Sequence, residues 1–177
     1  MAAHRTATAL APLATAVLAL LGGAAVTSAA RERRDAPSRD AVPWATVNVC
    51  DTRGHPDAVG IRGSMPGTGD PHQAMFMRLR LQYRRRADGA WRPLRGGDTG
   101  FLALGAADVA ARQAGRTFTL TPPDSGQPPF LLRGVATFVW RSDGGVVRRA
   151  RRITEAGHAG TAGADPPGFS AATCAVR

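Results

Sequence analysis

The sequence predicts an all-β fold, an antiparallel β-sandwich, on three observations. Residues Ala74 to Arg86 alternate, with Met75, Met77, Leu79, Leu81 and Tyr83 on one parity and Arg78, Arg80, Gln82 and Arg84 on the other. A period of two marks a half-buried strand, whereas at helical spacing the same arginines would ring the whole cylinder. Short runs rich in β-branched and aromatic residues recur along the chain, parted by clusters of Gly, Pro and Asp. The 21 glycines and 13 prolines among 177 residues imply many turns and argue against a helical bundle, while a hydrophobic content of 44% excludes a wholly disordered chain.

Taken in order, Trp44 to Cys50 reads as the first strand, Asp51 to Asp57 as a turn holding Gly54 and Pro56, and Val59 to Met65 as the second strand. Pro66 to His72 carries too many Gly and Pro residues for a strand. After the alternating third strand, Asp88-Gly89 predicts a hairpin turn, because glycine accepts positive φ without a Cβ clash. Ala90 to Leu94 returns as a strand that Pro93 confines to a sheet edge. Phe101 to Gly115 has two readings: a short helix near 108–114, capped by Asp108 and stopped by Gly115, or an edge strand. Arg116 to Thr121 alternates as a strand, and Pro122 to Pro129 is a proline-rich turn. Leu131 to Arg141 is apolar on both parities, as for a central strand covered on two sides. Ser142-Asp143-Gly144-Gly145 turns it back into Val146 to Ile153, an expected edge strand. Thr154 to Pro167 reads as a mobile loop, and Ala171 to Val176 as a last short segment. About seven short strands parted by turn clusters match an immunoglobulin-like or fibronectin type III-like sandwich spanning residues 44–177.

Ahead of this domain, Thr6 to Ala30 contains no charged side chain, and its Leu10 to Val26 portion is mostly Ala, Leu and Val. Preceded by Arg5 and followed by the small residues Thr27-Ser28-Ala29-Ala30, it reads as a signal peptide over residues 1–30 and predicts a secreted protein. The competing reading is an uncleaved anchor formed by residues 6–30, since such a stretch can just span a bilayer. Residues 31–43 mix both charges with two prolines and form a flexible linker. In an exported chain the two cysteines, Cys50 and Cys174, have one available pairing and predict one disulfide that ties the first strand to the last segment.

The phrases VNVCDT, VGIRGSMPG, MRLRLQYR, RGVATFVWR and GFSAATC, spread over Val47 to Cys174, resemble those of exported immunoglobulin- or fibronectin type III-like proteins of high-GC Gram-positive bacteria. That group carries no assigned activity. The resemblance implies an immunoglobulin-like domain with a terminal disulfide and nothing about catalysis. The chain departs from true antibody domains in lacking their Cys, Trp, Cys triplet, and its sole tyrosine, Tyr83, sits in mid-strand.

The chemistry begins from the charge. The formal net charge is +10, and all 23 cationic residues are arginine, with no lysine. Loss of the leader removes one arginine and no acid, so the basic character survives it. The absence of lysine excludes a Walker A phosphate loop, a Schiff-base lysine, a kinase-type phosphate lysine and a Ser-Lys dyad. No serine lies in a GxSxG elbow. The only glutamates are Glu32 and Glu155, and Asp57, Asp88, Asp124 and Asp143 sit beside Gly or Pro as turn formers. His55 and His72 flank opposite ends of the second strand, so they share no metal, and neither a metal site nor a cofactor is expected.

The pattern that carries a mechanism is the arginines. In a sandwich of this class the third, sixth and seventh strands are neighbours, which places Arg78, Arg80 and Arg84 near Arg148, Arg149, Arg151 and Arg152 on one basic face. Guanidinium groups in such rows suit successive phosphates or carboxylates of an anionic polymer. The competing explanations are a GC-rich codon supply and protection of a sheet edge from aggregation. Nucleic acid is disfavoured as a partner by export and by the few exposed aromatics that could stack on bases. The expectation is thus a non-enzymatic secreted module that meets an anionic envelope polymer or an envelope protein. The alternatives are a structural or protein-interaction module and, from a different class, an enzyme with a loop site at Asp51, His55 and Asp57.

Overall fold

The computed structural model describes residues 41–177, so the expected signal peptide and most of the linker lie outside the described residues. Eight strands follow one another: β1 (Trp44–Thr52), β2 (His55–Pro66), β3 (Ala74–Arg84), β4 (Trp91–Ala106), β5 (Ala111–Thr119), β6 (Phe130–Ser142), β7 (Gly145–Ile153) and β8 (Cys174–Val176). They form an all-β sandwich of two antiparallel sheets. One has the order β1-β2-β5 and the other β4-β3-β6-β7, with β8 pairing to β6. The third, sixth and seventh strands are therefore adjacent, as the immunoglobulin-like reading requires.

The core follows from the alternation. Met75, Met77, Leu79 and Leu81 of β3 are fully buried and stand beside Trp140, Phe138 and Ala136 of β6. Val47 of β1 and Val59 and Ile61 of β2 meet them from the opposite sheet. Trp140 also joins the layers through a hydrogen bond, its Nε1 donating to the Pro66 carbonyl at 3.0 Å. The β6-β7 hairpin turns on Asp143 and Gly144, both at positive φ (50° and 76°). That backbone twist matches the twist of the flanking strands.

The helix near 108–114 does not form. Residues 111–119 are the edge strand β5, paired with β2 from Ala111 opposite Pro66 to Thr119 opposite Ala58. Ala107 turns the chain between the sheets, its carbonyl accepting from Thr68 N and Gly69 N at 2.9 Å. Nine residues of ladder hydrogen bonding to β2 outweigh what one short capped helix could supply. The strand beginning at Trp91 is also longer than expected, running through Phe101 to Ala106.

Residues 154–173 are pinned rather than mobile. Val47 and Ala171 exchange backbone hydrogen bonds at 2.9 and 3.0 Å, and Asp165 N donates to Asn48 O. Asn48 Nδ2 donates to Gly163 O at 2.8 Å, and the Thr46 and Ser170 hydroxyls lie 2.7 Å apart. This strap covers β1, which explains how the polar Thr46 and Asn48 come to be buried. The Cys50–Cys174 disulfide anchors its far end, closing a sequence separation of 124 residues.

Candidate functional site

The outer face of the β4-β3-β6-β7 sheet collects the arginines. Strand registers place Phe101, Arg78, Thr137 and Arg151 in one row across the four strands. The next row along reads Ala103, Phe76, Val139 and Arg149, and on the other side Asp98, Arg80, Val135 and Ile153. Neighbouring rows on one face lie about 7 Å apart and adjacent strands about 5 Å apart.

Beyond these rows the face continues with Arg133 opposite Gln82 and Arg141 opposite Ala74. Arg133 Nε donates to Gln82 Oε1 at 2.9 Å, and its guanidinium lies 4.3 Å from the centre of the Trp91 ring. Arg141 lies 4.9 Å over Phe76, and Arg78 5.9 Å over Phe101. Arginine and aromatic residues thus interleave across the surface, each ring holding a guanidinium by its electron-rich face.

This layer also explains a burial pattern. Val135 and Val139 point outward, away from the core, yet both are fully buried. Their cross-strand neighbours on that face are Arg80 with Ile153, and Phe76 with Arg149. An arginine beside an apolar residue on a strand can cover it with its aliphatic stem while its charged head stays in water. The two-sided apolar character of this central strand therefore does not come from a second layer of elements.

Three of the seven expected arginines belong elsewhere. Arg148 and Arg152 fall opposite Trp140 and Ala136 and share their parity, turned away from the basic face. Arg148 stacks 4.5 Å over the Trp140 ring, and Arg152 Nε donates to Pro43 O at 3.0 Å. Alternation along a strand splits an arginine run between two faces, so only Arg149 and Arg151 join Arg78 and Arg80. Arg84 has the outward parity but lies past the β6 pairing, its Nε donating to Gly89 O. In exchange, Arg133 and Arg141 enter the face. Their outward parity within the apolar run Leu131 to Arg141 was the signal that could have found them.

Compensation of charge on this face is local. Asp98 accepts two hydrogen bonds from Arg78 Nε, at 2.8 and 3.1 Å, and another from its Nη2. The hydrogen bond from Arg78 outweighs the opposing effect of burial and, with a weaker contribution from the Gly100 amide, holds the Asp98 carboxyl below its ordinary value. Burial, and then the nearby Arg151 charge, also lower the Arg133 pKa, which for a base disfavours the charged form. Among the described residues Arg80, Arg133, Arg141, Arg149 and Arg151 meet no carboxylate within 4 Å.

The depressed Asp98 pKa has a definite sign. The stabilisation from the Arg78 pair is complete above the ordinary carboxylate pKa and is lost as pH falls through the lowered one. Carboxylate NMR of the folded domain is expected to put the Asp98 midpoint below the usual value of about 3.9, and Arg78→Ser to return it there. An unshifted midpoint in the parent protein would refute the pairing.

The loop containing Asp51, His55 and Asp57 is organised differently. Asp51 Oδ1 accepts from Asp57 N at 2.9 Å and its Oδ2 from Arg177 N at 3.2 Å, while the Asp165 carboxylate accepts from the Thr52 hydroxyl. His55 Nε2 lies 4.0 Å from Asp165 Oδ2 and its side chain is half exposed. These carboxylates serve the β1-β2 hairpin and the strap. No group of three or more metal-ligating side chains is found among the described residues. No family model matches the chain, and a search of curated proteins finds none that matches it.

Proposed function

We propose that the domain is a secreted, non-enzymatic binding module whose outward arginine sheet holds an anionic polymer of the cell envelope. The observation that supports this reading is the charge imbalance of one face. Asp98 is engaged by Arg78, while Arg80, Arg133, Arg149 and Arg151 stand on the same sheet without carboxylate partners among the described residues. A polyanion would relieve that crowding, and guanidinium pairs with phosphate or carboxylate oxygens bidentately. The rings of Phe76, Trp91 and Phe101 fix the arginines over the sheet, so less side-chain freedom is lost on binding.

Retention on immobilised poly(glycerol phosphate) across a sodium chloride series tests the reading. The Arg80→Ser/Arg149→Ser/Arg151→Ser variant is expected to elute at lower salt, with the logarithmic salt slope reduced by about 2 to 3. Arg53→Ser, in the β1-β2 turn, serves as a control and leaves retention almost unaltered. Asp98→Asn frees Arg78 and is expected to strengthen retention and steepen the slope by up to about 1. Equal slopes for the parent and the triple variant would remove the arginine face from the function.

A further inference from the structure

The sandwich is open along one side. β4 and β5 are the outermost strands of their respective sheets, and among the described residues no strand pairs with the free edge of either. They meet at the Ala107 to Ala110 connection, where Arg112 Nε donates to Ala106 O at 2.9 Å. Farther along, a hollow of about 560 Å³ separates them, with Leu102 and Phe118 among its walls. A second hollow of about 490 Å³ shares Leu94, Arg95, Thr119 and Leu120 with the first and extends it past Phe130 and Leu132. Phe130 remains 39% exposed there.

The lip of this groove on β4 is a bulge. Pro93 pairs with Gln82 and Asp98 with Arg80, so Leu94 to Gly97 have no register partners on β3. Gly97 presses against the core at this point, since a Cβ added to it would lie 2.8 Å from Leu81 Cβ. The lip on β5 carries charge where a closed sandwich would carry apolar side chains. Its core-facing parity reads Arg112, Ala114, Arg116, Phe118, opposite Met65, Gly63, Ile61 and Val59 of β2. Arg112 is held by Ala106 O and lies 3.8 Å from Asp108. Arg95 and Arg116 line the groove and pair with no carboxylate among the described residues, and the groove's one acid, Asp98, is taken by Arg78.

An apolar patch of Leu94, Phe118 and Leu120 within a polar surround, two strand edges that no other described strand pairs with, and the cationic side chains Arg95 and Arg116 define the ligand chemistry. We propose that this groove binds an extended acidic segment of another protein, added as a strand beside β4 or β5. Arg116 and Phe118 of β5 and Leu120 just past it share one parity, so a single face of the added strand sets a carboxylate against Arg116 and apolar side chains against Phe118 and Leu120, while Leu94 and Arg95 meet it from the β4 lip. Backbone pairing supplies affinity in this mode, and side-chain alternation supplies selectivity. The groove borders the outward arginine sheet at Asp98, which Arg78 holds, but its own arginines, Arg95 and Arg116, are not in the rows of that sheet, and the proposal does not depend on that sheet's function.

The test uses fluorescence anisotropy of the protein with a labelled peptide of about ten residues repeating Val-Val-Glu-Glu, a strand-length probe that carries both residue types on each face. Saturable binding is expected with Kd in the range of about 10 to 100 μM, typical of a weak docking contact. Arg95→Glu/Arg116→Glu is expected to weaken it about tenfold or more by replacing attraction with repulsion. A proline at the centre of the peptide should weaken it similarly by removing a backbone donor. Arg149→Ser/Arg151→Ser should leave it unchanged, which separates this groove from the basic face. Hydrogen exchange should slow at residues 95–99 or 116–119. Absence of saturation at about 1 mM peptide, which marks no specific affinity, would overturn the proposal. So would loss of binding in the Arg149/Arg151 variant alone, or protection confined to other strands.

Discussion

Trp140→Ala is expected to destabilise the folded domain by about 3 to 5 kcal/mol, the range for removing a large aromatic side chain from a packed interior. Trp140 is fully buried on β6 beside Met75 of β3. Its ring fills the core, and its Nε1 satisfies the Pro66 carbonyl across the two sheets. Alanine leaves a cavity and an unpaired buried acceptor together, and the Arg148 guanidinium loses the ring on which it stacks. Domains of this size are stable by about 5 to 15 kcal/mol in total, so the loss brings the protein near unfolding. Trp140→Phe separates the contributions. It retains most of the packing, and its cost should be smaller, with the missing hydrogen bond contributing about 1 to 3 kcal/mol. Urea denaturation monitored by far-UV circular dichroism reads both variants. A cost below about 1 kcal/mol for Trp140→Ala would contradict its place in the core.

Reduction of the Cys50–Cys174 bond, or the Cys50→Ser/Cys174→Ser double substitution, is expected to produce the other large loss. The bond closes a separation of 124 residues. The chain-entropy model gives about 4 to 5 kcal/mol for a loop of that order, as an upper figure. A lowering of the melting temperature by about 10 to 15 °C corresponds to that loss in a domain of this length. The spatial pattern of the damage is equally specific. β8 has three residues and pairs with β6 only from Phe130 to Leu132, so the strap depends on the bond more than the long ladder between β3 and β6 does. Hydrogen exchange of the reduced protein should accelerate first at 155–176, with β3 and β6 protected longest. Intact mass of the protein with and without reductant reads the thiol state directly. An unchanged melting temperature on full reduction would show that the strap is held by its hydrogen bonds alone.

The strands that could be read from the sequence are those whose local signals agreed. β3 alternates apolar and arginine residues over its length, and the β6-β7 hairpin joins a long apolar run to an arginine-rich one through Asp143-Gly144. Period and turn chemistry coincide there, so neighbouring elements had little to decide. Residues 108–114 stayed open between a helix and an edge strand for the opposite reason. Ala, Val and Arg after an aspartate satisfy a helix start, while the ladder with β2 that overrides it lies some fifty residues away in sequence. The polar Thr46 and Asn48 likewise show no sign of burial until the strap from 154–173 covers them.

The amino-acid sequence by itself determined the class of fold, the pair of cysteines that closes it and the excess of positive charge, since periodicity, composition and turn residues are properties of the chain alone. Only the tertiary structure decided which arginines share a face. Strand register put Arg133 and Arg141 beside Arg78, Arg80, Arg149 and Arg151 and sent Arg148 and Arg152 to the other side. It also decided that β4 and β5 part to leave a groove. Both outcomes depend on contacts between strands distant in the chain, and a shift of one residue in any of those registers would reverse the face to which each side chain points.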